Sequence, residues 1–423
     1  MSAPRGSYYM ASANPHSSHP RLGGEQRADV CVIGAGMTGL TAALELAGRG
    51  YTVSVVEAHH VAWGASGRSG GQIISGFNKD PEELAAMMGR DDAQKLSDMA
   101  VEAVADVKAR VAAHDIACDL ADGHYHVGLK PRHARELARW QAALEAVGYG
   151  DCNLITGPEV VERVASPLYT SALYDPRGGH LHPLNYTLGL AAAAAKAGVT
   201  FYEDSKVTRL ISGTPARVET ANGAITADYV IVAANAYLGR LIPDLAGTIM
   251  PVGTYIAATE PLGENRARGL IRDNAAVADI NFVLDYFRLS GDHRMLFGGR
   301  VSYSRRDPDN IAAAMGNSMV RVFPQLADAR VTHAWGGFVA ITVNRLPHLG
   351  RLSANCFFAH GFSGQGVALT GMAGKLIAET VAGTAERFDV FGRIAHRRFP
   401  GGRWLRTPAL VLAMAYYRLR DLL

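Results

Sequence analysis

The sequence has little cysteine, few aromatic residues and almost no imbalance of charge. Its four cysteines, in a chain of 423 residues, form no CxxC pair and have no metal-ligand spacing with histidine, which argues against a disulfide framework or a metal site. Lys and Arg number 42 against 39 Asp and Glu, so no strong field favours nucleic acid or an anionic membrane. We therefore expect a small-molecule partner, no nucleic acid and no metal.

Long apolar runs are also missing. The longest, ALVLAMAYY at residues 409–417, is about half of the roughly 18 residues that span a bilayer, and the N-terminal segment has no signal-peptide core. We interpret residues 409–417 as an amphipathic helix packed on the protein body or at a subunit contact of a homo-oligomer, with membrane-surface docking as the alternative. A free thiol at Cys31, inside an apolar stretch, favours a reduced, cytoplasmic compartment.

Glycine, in contrast, is abundant. The 46 glycines, with 48% hydrophobic and 19% charged residues, are typical of a globular α/β protein, and the length predicts two or three folding units. The first ordered pattern is a βαβ unit consisting of a strand, a GxGxxG turn, a helix and a second strand. In chain order these are residues 29–33 (DVCVI), 34–39 (GAGMTG), 40–46 and 52–56 (TVSVV).

The GxGxxG turn predicts a dinucleotide site. Gly34 permits the tight turn, Gly36 lets the backbone approach a pyrophosphate, and Gly39 brings the helix close to the sheet. Glu57 follows the second strand, 18 residues beyond Gly39, where its carboxylate would bind the adenosine ribose.

Two more glycine-rich segments favour FAD over NAD. Residues 58–72 (AHHVAWGASGRSGGQ) let the backbone lie against a large flat ligand, with a flexible surface loop as the alternative. Residues 362–367 (FSGQGV) begin a second helix, whose N-terminus would stabilise negative charge on a reduced flavin ring. NAD needs no second helix N-terminus of this kind.

Four segments carry a resemblance to a known family. They are residues 7–14 (SYYMASAN), 64–72 (GASGRSGGQ), 178–185 (GGHLHPLN) and 399–408 (FPGGRWLRTP). Together with the dinucleotide motif they make the chain similar to the D-amino-acid oxidase (glycine/sarcosine oxidase) class of FAD-dependent oxidoreductases. The resemblance implies an α/β fold with a discontinuous Rossmann-type FAD-binding domain and an α+β substrate domain built on an antiparallel sheet.

The implied domains interleave along the chain. An N-terminal arm (1–27) precedes FAD-binding segments at 28–81, 151–247 and 348–390, the substrate domain takes 82–150 and 248–347, and a C-terminal extension covers 391–423. Helical periodicity dominates from residue 81 to residue 144, which predicts an insertion made of helices.

The resemblance also assigns cofactor contacts. Val207 would meet the adenine through its backbone, while Ala233 and Ala234 would line the nucleotide. The full predicted set is Gly34, Gly36, Met37, Thr38, Gly39, Glu57, Ala58, Gly64, Ser66, Gly70, Gly71, Gln72, Val207, Ala233, Ala234, Gly364, Gln365, Gly366 and Val367.

Two departures from the family pattern affect the cofactor. Gln365 stands where many relatives carry the histidine of an SGHG motif at the pyrimidine edge of the flavin. Residues 335–347 (WGGFVAITVNRLP) lack the cysteine that tethers FAD in sarcosine-oxidase-like members. We therefore expect noncovalent FAD.

Catalytic side chains are less firmly indicated. The candidates are His180, with His182 beside it, which would orient or deprotonate an amine, and Trp335 and Tyr255, which with Tyr286 would form an aromatic wall. A histidine satisfied within a turn and ordinary sheet packing are the alternatives. Arg288 and Arg300 would bind a substrate carboxylate, or are surface charges.

The resemblance implies the oxidation of an amine by hydride transfer to flavin N5. The expected substrate is gamma-glutamylputrescine, with O2 or another acceptor reoxidising the flavin. Oxidation of an amino or imino acid such as glycine, sarcosine or proline is one alternative, and a flavin-binding subunit without a substrate of its own is another.

Overall fold

The computed structural model describes residues 6–281, 283–302 and 310–400, and for residues 300–302 it describes the backbone alone. The predicted helix at 409–417, most of the segment at 399–408 and the Arg300 side chain therefore lie outside the described residues.

The described chain is a mixture of strands and helices. The strands are β1 (Gly24–Ile33), β2 (Val53–Val56), β3 (Gln72–Ile73), β4 (Ala121–Gly128), β5 (Asn153–Thr156), β6 (Ser171–His180), β7 (Thr200–Tyr202), β8 (Arg209–Ile211), β9 (Ala216–Glu219), β10 (Gly223–Val232), β11 (Ile249–Thr259), β12 (Ala276–Asp279), β13 (Tyr286–Leu289), β14 (Met295–Ser302), β15 (Val331–Thr342), β16 (His348–Ser353) and β17 (Cys356–His360). The helices are α1 (Tyr8–Ala11), α2 (Met37–Ala47), α3 (Pro81–Met88), α4 (Arg90–Ala113), α5 (Pro131–Ala146), α6 (Pro158–Arg163), α7 (Pro183–Lys196), α8 (Pro243–Ala246), α9 (Glu264–Leu270), α10 (Ile311–Val322), α11 (Gly366–Val381) and α12 (Glu386–Gly392).

The first sheet has the order β16-β17-β10-β1-β2-β7, with β8 and β9 attached beside β10. Its central pairings β10–β1, β1–β2, β2–β7 and β10–β17 are parallel. The end of β1 is apolar and buried without alternation because both faces of a parallel sheet are covered. Helix α11 packs closely on α2, since a Cβ added to Gly374 would lie 2.5 Å from the Thr38 carbonyl oxygen.

The second sheet has the order β15-β11-β14-β13-β12-β4-β6-β3, with β5 paired to β6. Apart from the parallel pair β12–β4, the pairings described in this sheet are antiparallel. The predicted fold class is confirmed: a Rossmann-type layer is joined to an α+β unit. Among the described residues, no helix combines the length and apolar character that a membrane span requires.

The second sheet differs in two places from the sequence-based division. Strand β4 lies inside residues 81–144, which were predicted to be helical. Strands β5 and β6 pair with each other and with β4 in the second sheet, whereas the predicted division places residues 151–247 in the FAD-binding domain. Alternating short strands set between helices carry a weak periodic signal, so the boundary near residue 151 does not follow from the pattern alone.

A cluster of imidazoles joins β16, β17 and the start of β11. The Nε2 atom of His360 lies 3.0 Å from Nδ1 of His348, and the Thr248 hydroxyl lies 3.2 Å from both. The ring of His396 stacks on His348 with centroids 4.0 Å apart. Burial lowers the pKa of His360 to about 3, and burial with neighbouring imidazoles lowers the pKa of His348 to about 2.

This cluster predicts loss of stability in mild acid. The unfolded chain binds protons at these histidines below about pH 6.5, while the folded chain does so only at much lower pH. The free energy of unfolding should therefore fall as pH drops from 6.5 toward the folded pKa values. Thermal melts at pH 5 and 7 test this, and His360→Gln should reduce the slope by up to about 1.4 kcal/mol per pH unit.

The matched control is His16→Gln, a substitution at an exposed position. It should leave the pH dependence of the melting temperature as in the unmodified protein. Equal slopes for His360→Gln and the unmodified protein would contradict the assignment of acid sensitivity to the cluster.

Candidate active site

The turn after β1 requires glycine at two of its three motif positions on backbone grounds. Gly34 has φ +111°, and a Cβ on it would lie 2.9 Å from the Ala233 carbonyl oxygen. A Cβ on Gly39 would lie 2.1 Å from the Gly34 carbonyl oxygen. Gly36 precedes helix α2, and a Cβ there would lie 2.9 Å from Ser66 Oγ. The turn therefore places the N-terminus of α2 beside the backbone of β10 and the segment containing Ser66.

Two polar side chains fix this turn. The Glu57 carboxylate accepts hydrogen bonds from the N–H groups of Ala35 (2.9 Å) and His59 (3.0 Å), and burial raises its pKa. Ser66 Oγ accepts a hydrogen bond from the Met37 N–H at 3.0 Å. Glu57 thus ties the glycine turn to the end of β2, the position at which a ribose-binding acid is expected.

A cavity of about 1560 Å³ begins at this turn. It exceeds the roughly 300–1,000 Å³ of a pocket for one small ligand, so it has room for a flavin ring and a substrate. The predicted cofactor residues that line it are Met37, Ser66, Gly70, Gly71, Gln72, Gly364, Gln365, Gly366 and Val367.

The other predicted cofactor residues do not line this cavity. Several belong to the glycine turn, where Gly34 lies against the Ala233 backbone and the Glu57 carboxylate accepts a hydrogen bond from the Ala35 N–H. Val207 is buried. A Cβ on Gly64 would lie 3.1 Å from the ring of Tyr237. The predicted residues outside the cavity wall are Gly34, Gly36, Thr38, Gly39, Glu57, Ala58, Gly64, Val207, Ala233 and Ala234.

The cavity wall fits a flavin in shape and in polarity. A Cβ on Gly70 would lie 2.7 Å from the Tyr286 ring, so only glycine leaves this stretch of wall flat. The Gln365 Oε1 atom and the Ser69 hydroxyl are buried in the wall without a hydrogen-bond partner among the described residues. Buried polar atoms are normally satisfied, and a flavin ring offers polar edge atoms beside a flat face.

The three side chains predicted to be catalytic lie elsewhere. His180, Trp335 and Tyr255 are buried, and none of them lines the cavity. His180 Nε2 lies 2.7 Å from the Asn274 carbonyl oxygen, and Trp335 Nε1 donates to the Arg68 carbonyl oxygen at 3.0 Å. Their assignment as groups that touch substrate is therefore replaced by structural roles inside the sheets, because side chains enclosed by protein cannot contact a ligand in the cavity.

The prediction that Arg288 binds a substrate carboxylate also needs correction. Its guanidinium donates to the carbonyl oxygens of Gly70 (2.7 Å) and Leu289 (3.0 Å) and to the Tyr9 hydroxyl (3.1 Å). The residue is 2% exposed and does not line the cavity. Arg288 therefore holds the Gly70 backbone and the N-terminal Tyr9 in place.

Two aromatic residues of the cavity wall escaped the sequence analysis. His126 on β4 and Trp140 on α5 line the cavity with ring centroids 4.4 Å apart. The alternation of HYHV in β4 is the signal that would have revealed the strand. Desolvation lowers the pKa of His126 to about 3, so this part of the wall is uncharged at neutral pH.

Gln72 and Tyr286 form the floor of the cavity, and Gln72 connects this floor to the second sheet. Its Nε2 atom donates to the carbonyl oxygens of Val277 (2.9 Å) and Phe287 (3.3 Å), and its Oε1 atom lies 3.3 Å from His124 Nε2. Burial, together with the neighbouring His126, keeps the pKa of His124 well below its usual value. The imidazoles beside Gln72 therefore bring no positive charge to this part of the wall at neutral pH.

The glycine turn generates a direct test of the cofactor site. Replacing Gly36 by Val forces a side chain against Ser66 Oγ and displaces the loop from the N-terminus of α2. We expect the purified Gly36→Val protein to lose the visible absorbance band of bound oxidised flavin. Gly23→Val is the matched control, because a Cβ there meets nothing within 4 Å, and normal FAD content in Gly36→Val would contradict the site.

Comparison with known proteins agrees with this geometry. The chain is 42% identical to gamma-glutamylputrescine oxidoreductase of Escherichia coli (strain K12) over 416 residues, which covers 98% of each chain. It is 24% identical to glycine oxidase of Geobacillus kaustophilus over 383 residues, covering 86% of this chain and 95% of that protein. The solved structure of L-proline dehydrogenase from P. horikoshii superposes with a TM-score of 0.72 at 22% identity, covering 88% of this chain and 98% of that one.

A family model described as FAD dependent oxidoreductase matches residues 29–380. That range contains both sheets apart from the first five residues of β1, and every residue that was predicted to bind the cofactor. The resemblance stated from the sequence is thereby confirmed, and FAD is the cofactor. The chain belongs to the family of FAD-dependent oxidoreductases.

Proposed function

We propose that the protein oxidises gamma-glutamylputrescine to gamma-glutamyl-aminobutyraldehyde, releasing ammonia and hydrogen peroxide. The observation that carries the proposal is the 42% identity to a gamma-glutamylputrescine oxidoreductase over 98% of both chains. The similarity therefore extends over the second sheet and the helices that line the cavity, and is not confined to the dinucleotide motif.

The arginines near the cavity floor support this substrate over an α-amino acid. Arg68 donates to the carbonyl oxygens of Trp63 and Gly336. Arg288 donates to two backbone carbonyl oxygens and to the Tyr9 hydroxyl. Neither arginine lines the cavity. An α-amino acid carries its carboxylate on the reacting carbon, whereas in gamma-glutamylputrescine it lies roughly nine bonds, or about 11 Å, away. A floor formed by Gln72 and Tyr286 suits the uncharged end of such a substrate.

Bound FAD would supply the acceptor for the hydride that leaves the carbon next to the amine, and O2 would accept the two electrons from the reduced cofactor. The chain's own residues position the amine and exclude water. Tyr286 and His126 give the wall no charge at neutral pH, because burial raises the Tyr286 pKa and lowers the His126 pKa. Desolvation beside these two side chains favours the neutral amine, the form whose lone pair assists hydride departure, and hydrolysis of the resulting iminium gives aldehyde and ammonia.

One observation favours a second candidate, the oxidation of an amino or imino acid. Arg345 lines the cavity, and an arginine in that wall is chemically able to pair with a substrate carboxylate. Glycine oxidase and L-proline dehydrogenase also share the fold. A flavin-binding subunit without a substrate of its own remains the third reading, for which Gln365 in place of histidine is the motivation.

We further propose that the cofactor is held noncovalently in a reduced, cytoplasmic protein. All four cysteines are buried as free thiols, and in the described chain none of them lines the cavity. Acid precipitation of the yellow protein should therefore release intact FAD into the supernatant. Colour that stays in the pellet would overturn noncovalent attachment.

The substrate is tested by mixing the oxidised enzyme anaerobically with four compounds and following flavin bleaching. We expect gamma-glutamylputrescine to reduce the flavin at least about tenfold faster than putrescine, because binding energy from the remote end positions the amine. Glycine and sarcosine should be nearly inert. Comparable rates with glycine would favour the amino-acid candidate, and no bleaching with any amine would favour the subunit without a substrate.

A further inference from the structure

Helix α5 presents a stripe of side chains to the outer part of the cavity. Glu136, Arg139, Trp140 and Ala143 all line the cavity, and their spacing of three and four residues places them on one helix face. Glu136 and Arg139 are exposed, whereas Trp140 is half-buried. The stripe therefore combines an acid, a base and an indole ring within two helical turns.

The stripe is connected to the cavity floor by a row of contacts. The Trp140 ring lies 4.4 Å from that of His126, the His126 ring lies 4.4 Å from that of His124, and His124 Nε2 lies 3.3 Å from Gln72 Oε1. The row leads from the flat glycine wall at Gly70 to the rim of the cavity. This path passes through the fully buried His124, so it shows that the stripe and the floor belong to one packed wall.

Charge is distributed unevenly along this path. His124 and His126 have pKa values lowered by burial and are neutral at physiological pH. The Arg139 guanidinium lines the cavity and forms no ion pair or hydrogen bond within the described residues. Arg345 lines the same cavity but already has a protein interaction, and the Arg288 guanidinium is occupied by three acceptors.

We propose that the stripe on α5 is the subsite for the amino-acid head of the substrate. Arg139 pairs with the head-group carboxylate and Glu136 with its ammonium, while Trp140 covers the aliphatic part of the chain. Glu136 and Arg139 have opposite charges and lie three residues apart on the helix. They match a zwitterion, whose carboxylate and ammonium groups are bonded to the same carbon. This inference rests on the proposed function, since it takes the glutamyl end of gamma-glutamylputrescine as the ligand.

The test separates binding of the head group from the oxidation reaction. The probe is N5-butylglutamine, which keeps the zwitterionic head and the amide but lacks the terminal amine, so it cannot be oxidised. Its affinity for the FAD-loaded enzyme is measured by calorimetry for the unmodified protein, Arg139→Gln, Arg90→Gln and Arg135→Gln. Arg135 is the matched control, because it is an exposed arginine on the same helix that does not line the cavity.

We expect Arg139→Gln to weaken binding about fivefold, as for the loss of a well-aligned exposed ion pair, and Arg135→Gln to leave it unchanged. N-glutarylputrescine, which lacks the head-group ammonium, should reduce the flavin at similar rates in Glu136→Gln and the unmodified enzyme. Gamma-glutamylputrescine should be used less efficiently by Glu136→Gln.

Two results would overturn the subsite. One is equal affinity of Arg139→Gln and Arg135→Gln for N5-butylglutamine, and the other is a loss confined to Arg90→Gln, whose side chain also lines the cavity. Failure of the proposed function has a different signature, because the unmodified enzyme would then bind N5-butylglutamine through Arg139 without being bleached by gamma-glutamylputrescine.

Discussion

The attachment of the Gly70–Gln72 backbone to the second sheet is the constraint on which the rest of the site depends. Strand β3 begins at Gln72 and pairs with β6 through Gln72 and His180, while the Gln72 amide donates to two carbonyl oxygens of the same sheet. Arg288 donates to the Gly70 carbonyl oxygen from the same side. Hydrogen bonds to a charged group contribute about 1.5–3 kcal/mol each, but burying a guanidinium costs several kcal/mol. These opposing contributions offset each other in part, and Arg288 fixes the position of the glycine wall.

The fixed glycine wall determines which groups face the cavity. Gly70 and Gly71 approach Tyr286 and the Leu181 carbonyl oxygen so closely that no side chain fits between them. A ligand in the cavity would meet flat backbone on one side and the start of helix α11, at Gln365, on the other. An amide at this position offers the ring a neutral partner. Negative charge on the reduced ring would be stabilised by the N-terminus of α11, since no imidazolium stands there.

The sequence predicts the nucleotide half of the molecule better than the substrate half, for a physical reason. Gly34, Gly39 and Glu57 act through local backbone geometry, which is encoded within a few residues of each motif. The substrate cavity is assembled from segments far apart in the chain, such as β4, α5 and β13, whose pairing depends on long-range contacts. His180 and Arg288 have the residue types that catalysis and recognition need, yet strand pairing turns both into internal supports. Residue type indicates what a side chain can do, and topology decides whether a ligand reaches it.

With the subsite proposed on α5, the same topology separates the redox chemistry from the charges that would recognise the substrate. Beside His126 and Tyr286, which are neutral, desolvating an ion is costly unless it pairs with a lining carboxyl such as that of Asp279. At the rim, Arg139 and Glu136 remain exposed to water, so pairing with a zwitterion there requires little desolvation. A substrate must then be long enough to place its ionic head at the rim while its neutral amine reaches the floor. Under this proposal chain length becomes a determinant of specificity, because a short amino acid cannot place its head group at the rim and its amine at the floor at once.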